Sequence, residues 1–174
     1  MFYAIAVSRY SLALVLCVAA IGKIRSRDDF ESSVRAMTGL SVRHVPRLAD
    51  AVIVSEISAA ALLAVPRTGP LGALLAAALL ISFTVLILRL ISRHESVACS
   101  CFGASNSPAG WLQVGRNLLL LAMAAVSAFA WQPDLRPGLL TAGFAVVAVA
   151  ALVASLEDVV FLLSPAAGPQ TYDL

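Results

Sequence analysis

Apolar residues run along this chain in five blocks, over about residues 2–24, 48–65, 71–88, 111–131 and 138–156. A helix that crosses a bilayer needs roughly 20 predominantly apolar residues, within a range of about 17–25. All five blocks fit that range. They are built from Ala, Leu, Val and Ile without the strict alternation of a barrel strand, so each is predicted to be a helix. The third is the cleanest, interrupted only by Ser82 and Thr84. The pattern predicts an all-α integral membrane bundle of four core transmembrane helices plus a fifth, in one domain over residues 1–174.

The polar stretches between the blocks are informative. Residues 23–47 are charged, yet Phe30, Val34 and Met37 recur at helical spacing. Asp28 followed by Glu31 resembles a capping box. This predicts a short amphipathic helix over residues 28–38, lying on the membrane surface; the bland alternative is a solvated loop. Residues 66–70 and 132–137 read as tight turns. Ser107 and Pro108 suit the N-cap and first turn of the fourth helix, which leaves Cys99 and Cys101 in the loop before it. Trp111 and Trp131 would stand about 30 Å apart along that helix, one at each interface.

Composition agrees. The chain has 174 residues, 60% hydrophobic and 13% charged, where a soluble domain carries about 25% charged residues. The net charge of +2 gives no reason to expect nucleic acid. No basic residue precedes the first block and Arg9 interrupts it, so it reads as a retained helix and not a cleaved signal. Five spans put the 23–47 connection and the cysteine loop on one face. Lys23, Arg25, Arg27, Arg35, Arg43, Arg47, Arg89 and Arg93 lie on that face, against Arg67, Arg136 and Arg9 opposite. By the positive-inside rule this face is cytoplasmic.

The sharpest chemical signal is Cys99-Ser100-Cys101-Phe102-Gly103. A thiolate is the nucleophile of disulfide exchange and a ligand for soft metals. A one-residue spacing closes a small strained ring, and strain eases reduction. Arg93 and His94 lie near in sequence and could stabilise a thiolate. Cys17 would sit about 10 Å below the same face. It is either a small buried hydrophobe or a third thiol that relays a disulfide inward or faces a quinone. Glu56 would lie about 12 Å deep and Arg116, beside Asn117, about 7–8 Å deep. Unpaired, either charge would cost at least about 2.5–3.5 kcal/mol. Arg116 could snorkel; Glu56 should pair, protonate or face a polar cavity. The shared depth of Cys17, Glu56 and Arg116 predicts a buried cluster, with Glu56 and Arg116 offsetting each other. No metal site is predicted.

These residues resemble the MauE group of methylamine-utilisation membrane proteins and the wider DoxX-like family. The likeness rests on Gly22-Lys23-Ile24-Arg25 with Phe30, on Glu56, on Cys99-Ser100-Cys101-Phe102-Gly103 and on Arg116-Asn117, and covers roughly residues 10–130. It implies disulfide formation or electron delivery for an exported enzyme, with a thioredoxin-like partner. The layout is also similar to vitamin K epoxide reductase-like thiol oxidoreductases, although the cysteine spacing is one residue, not two, and the first loop has no second pair. The resemblance implies a bacterial plasma membrane location with the cysteine loop outside the cytoplasm, the reverse of the basic-residue count. The expected function is therefore thiol–disulfide exchange through Cys99 and Cys101. Cys17 would assist, supported by Glu56, Arg116, Asn117, His94, Phe102 and Gly103, with a quinone as candidate acceptor. The partners would be a thioredoxin-like or exported thiol protein, the bilayer and a second copy in a homo-oligomer. The alternatives are a Cu(I)-binding or transport protein and a non-catalytic assembly subunit.

Overall fold

Each of the first four apolar blocks forms a helix. The computed structural model describes residues 2–93 and 111–128, together with positions 143, 146 and 147. Among the described residues all regular structure is helical. The elements are α1 (Phe2–Arg25), α2 (Arg27–Thr38), α3 (Val45–Ala64), α4 (Gly69–Ser92) and α5 (Trp111–Ala128). A single 3-10 turn, Pro66–Thr68, joins α3 to α4 where the tight turn is expected.

The four long helices pack as one bundle: α1 lies against α3 and α5, and α4 lies against the same two. Leu12 and Leu16 of α1, Leu63 of α3, Leu80 of α4 and Leu120 and Met123 of α5 meet in its core. The outer faces are just as apolar. On α1, Leu14, Val18, Ile21 and Ile24 are exposed, as expected where lipid is the solvent. The α3–α4 contact is made of small residues, among them Ala59, Ala60, Ala73 and Ala76, which let the two backbones approach. Gly72 marks the closest point. A Cβ added there would lie 2.6 Å from the Leu63 backbone nitrogen and 3.0 Å from the Ala59 carbonyl oxygen.

Among the described residues three helical stretches are long and apolar enough to cross a membrane: Ile5–Arg25, Pro66–Ser92 and Trp111–Ala128. The expectations of five spans and of four core transmembrane helices are not reproduced among the described residues. The difference lies in α3. It has 20 residues, but Arg47, Asp50 and Glu56 put three charged side chains into it. Nearly all of block 138–156 lies outside the described residues, as do Ser107, Pro108, Trp131 and the turn at 132–137. Trp111 opens α5 and is 71% exposed, as an interfacial tryptophan would be.

The short helix is real, but its start is not capped as expected. It begins at Arg27, after Ser26, and no side chain caps it. Glu31 Oε1 instead accepts from Arg27 Nε at 2.9 Å, an i, i+4 pair. Asp50 of α3 takes the other side of the Arg27 guanidinium at 2.7 Å. Together the two carboxylates hold Arg27 above its ordinary pKa. Phe30 and Val34 bury against Val45, Ala49 and Ile53 of α3. Met37 packs with Ile87 and Ile91 of α4 and Val114 of α5. The apolar face of α2 thus covers the bundle. At its end Gly39 has φ +65° and donates its N–H to the Arg35 carbonyl, a left-handed cap that only glycine adopts freely.

The end of the bundle at the Pro66–Thr68 turn is closed by Arg9, which therefore lies near Arg67, with which the sequence groups it. Its guanidinium is buried and donates to the carbonyls of Leu63 at 2.5 Å, Val65 and Pro66 at 3.4 Å. Leu63 lies in the last turn of α3, where carbonyls lack helical partners, while the Val65 carbonyl also accepts from the Thr68 N–H at 3.2 Å.

Candidate functional site

Lys23, Glu56, Arg116 and Asn117 come from three helices and are all nearly fully buried. Each reaches the interior through the packing register of its own helix. On α1, Leu16, Ala19, Ala20 and Lys23 share the buried face at helical spacing. On α3, Ala49, Ile53, Glu56, Ala59, Ala60 and Leu63 do the same. On α5 the buried face runs through Gln113, Arg116, Asn117, Leu120 and Ala124. The polar residues sit at core positions of otherwise apolar stripes.

The centre is an ion pair. Lys23 Nζ donates to Glu56 Oε1 at 2.7 Å, with the two side chains 1% and 4% exposed. The ammonium also lies 5.5 Å from the ring centroids of Phe30 and Phe83, within cation–π range. Arg116 is close enough for its charge to act on Lys23. Asn117 Nδ2 donates to Thr84 Oγ1 at 3.3 Å; the Thr84 hydroxyl in turn donates to the Leu80 carbonyl at 2.6 Å. Glu56 Oε2 has no hydrogen-bond partner among the described residues. Lys23, Glu56 and Asn117 line a small common cavity of about 20 Å³ with Leu16, Leu80 and Phe83.

This corrects two expectations. The partner of Glu56 is Lys23, not Arg116. Lys23 was counted among the basic residues of the membrane face, and its burial removes it from that count. The signal that could have found it is its register, seven residues after Leu16 on the core face of α1. Second, Cys17 does not join the cluster. It is exposed on the outward surface of α1, beside Leu14, Val18 and Ile21, which are also exposed. The common depth of Cys17 and Glu56 is not a common face. Gln113 is a further buried polar residue that the sequence did not single out. Cys99, Cys101, His94, Phe102 and Gly103 lie outside the described residues.

The ends of α4 and α5 nearest the cysteine-bearing connection meet α2 through Ile91, Ile87, Val114 and Met37. The end of α4 and the start of α5 therefore lie at the end of the bundle that carries Lys23 and α2.

Residues 1–130 match the family described as "Methylamine utilisation protein MauE". The chain belongs to the MauE family. A relative in Paracoccus denitrificans, "Methylamine utilization protein MauE", is 32% identical over 123 residues, covering 67% of this chain and 63% of that protein. The chain thus spans less than two thirds of that relative's length. No solved structure matches. The matched range of residues 1–130 spans Lys23, Glu56, Arg116, Asn117 and both loop cysteines. Family membership and three apolar helices among the described residues mark this as a multi-pass membrane protein.

Proposed function

We propose that this MauE-family chain is a membrane thiol–disulfide redox protein. Cys99 and Cys101 exchange electrons or disulfides with a thioredoxin-like or exported thiol protein on the outer side of a bacterial plasma membrane. The observation that carries the reading is the pair itself: two thiols one residue apart in the polar connection between two bundle helices. In the exchange, the thiolate of one cysteine attacks a sulfur of the partner's disulfide and forms a mixed disulfide, releasing the partner's other sulfur as thiolate. The second loop cysteine then attacks the mixed disulfide, leaving the loop oxidised and the partner reduced. The reverse sequence oxidises the partner.

Support comes also from what lies beside the loop. Both helix ends that bracket it in sequence pack on Met37 of α2. Cys17, facing outward, is not needed for the step.

Differential alkylation followed by mass spectrometry tests the proposal. The Cys99 and Cys101 thiols are expected to switch between protected and alkylatable states with reductant and oxidant. Cys99→Ser and Cys101→Ser should each abolish exchange while leaving yield unchanged, because loop positions outside the core contribute little to packing. One of the single variants should trap a mixed disulfide with the partner. Full exchange in both variants would refute the reading. An impermeant maleimide is expected to label the pair in intact cells; labelling only after lysis would refute an exported partner.

A further inference from the structure

Two voids of very different size and chemistry meet at Leu79 and Phe83, which line both. The larger is a cleft of about 230 Å³ between α2, α3 and α4, walled chiefly by Phe30, Val34, Met37 and Val52 beside the two shared residues. Three hydroxyls lie on its wall, and each donates within its own helix. Ser33 donates to the Asp29 carbonyl at 2.9 Å, Thr38 to the Val34 carbonyl at 2.6 Å and Ser82 to the Ala78 carbonyl at 2.8 Å. The cleft therefore suits an apolar body. Its volume exceeds the roughly 150 Å³ at which an apolar cavity accepts a benzene ring.

The smaller void is the cavity of about 20 Å³ at the ion pair. That is room for one water-sized group, which needs about 10–15 Å³. Its chemistry is set by Glu56, which is 3% exposed. Oε1 is engaged by Lys23 at 2.7 Å, while Oε2 has no partner among the described residues. A carboxylate oxygen only accepts hydrogen bonds. An occupant that satisfies it must bring an O–H or N–H.

We propose that cleft and cavity together form a binding site for a ring-bearing lipophile with one hydroxyl, of the phenol class. The ring occupies the cleft and the O–H donates to Glu56 Oε2. Phe83 stands between the two voids and turns aside to admit the hydroxyl. Its ring already faces the Lys23 ammonium at 5.5 Å, so occupancy is felt directly by the ion pair. The ligand arrives from the bilayer, where such compounds concentrate. The site contains no thiol, so it stands or falls independently of the exchange reading.

The test uses the full chain in lipid nanodiscs, with tritiated para-pentylphenol and its methyl ether, para-pentylanisole, as probes in a scintillation proximity assay. The phenol is expected to bind about 10-fold or more tightly than the ether, the contribution of a hydrogen bond to a charged acceptor. Lys23→Met/Glu56→Leu removes both charges together and strands neither. In that variant the two probes should bind within about 2-fold of each other. Val52→Trp fills the cleft and should weaken both probes about 10-fold or more, with an unchanged elution profile and helical circular dichroism. Equal binding of phenol and ether to the native chain overturns the proposal. So does a preference that survives in the double variant, or saturable binding indifferent to Val52→Trp. Absence of saturable binding by either probe also overturns it, and assigns the cleft to acyl chains. If the double variant does not accumulate, the phenol-to-ether ratio of the native chain and the Val52→Trp result decide the matter.

Discussion

Lys23 lies close to the end of α1, where a lysine normally reaches for water, yet it is 1% exposed and 2.7 Å from Glu56. Each charge is tolerated because the other is there. Removing one partner of a buried pair leaves an uncompensated charge, at a cost of about 3–5 kcal/mol. Replacing both by apolar groups of similar volume is often close to neutral. We therefore expect Lys23→Met or Glu56→Gln alone to lower the unfolding midpoint and the yield sharply, and Lys23→Met/Glu56→Leu to recover most of the loss. Thermal unfolding in detergent micelles measures this cycle. Additive losses would mean that the two residues are stabilised separately. That Glu56 needs a partner was legible in the sequence, because an acid deep in an apolar block cannot stay unpaired. Which cation supplies it was not. Depth alone favoured Arg116, about 7–8 Å below the face, over Lys23 near the end of α1, and only the rotation of α1 turns Lys23 inward. Cys17 shows the same limit from the other side: its depth was readable, but not its outward face.

Among the elements, α2 was the most legible, because Phe30, Val34 and Met37 announce both a helix and its buried side. Its first turn was not. A capping box and an i, i+4 ion pair both place an acid at Glu31, and Arg27 captured that acid before the backbone could. The crossing of α3 and α4 rests on a different requirement, which is space. At Gly72 a side chain would meet the backbone of α3 at 2.6 Å, and a helix backbone cannot move aside as a flexible side chain can. Gly72→Val should destabilise by about 1–3 kcal/mol. Gly115 of α5 provides the contrast, since nothing lies within 4 Å of an added Cβ. Gly115→Ala should be neutral or stabilising by about 0.5–1 kcal/mol, from helix propensity alone. Unfolding midpoints of the two variants, measured side by side, separate a packing requirement from a general intolerance of substitution.

On the scale of the whole molecule, the bundle has two solvents. Its inner faces share one core, and its outer faces present Leu14, Val18, Ile21, Leu74, Ile81 and Leu118 to what a membrane protein meets as lipid. The first four apolar blocks foretold their helices well, because length and composition suffice for that. The number of spans is harder to read, because Arg47, Asp50 and Glu56 put three charges into α3 and block 138–156 lies almost wholly outside the described residues. Cys17 belongs to the lipid-facing surface. Its thiol is exposed in the middle of α1, among apolar neighbours, at a depth where neither water nor a water-soluble protein thiol reaches it. Three outcomes follow. A lipid-soluble maleimide should modify Cys17 in intact bilayers. A charged, impermeant maleimide should leave it untouched from either side while labelling Cys99 and Cys101 from one. Cys17→Ala should keep thiol exchange within about 2-fold of the native chain, because exposed positions away from special features rarely change stability by more than about 0.5 kcal/mol. Labelling of Cys17 by the impermeant reagent would mean that water enters the bundle beside α1. Loss of exchange in Cys17→Ala would restore the third thiol to the redox path and require a partner that meets it within the bilayer.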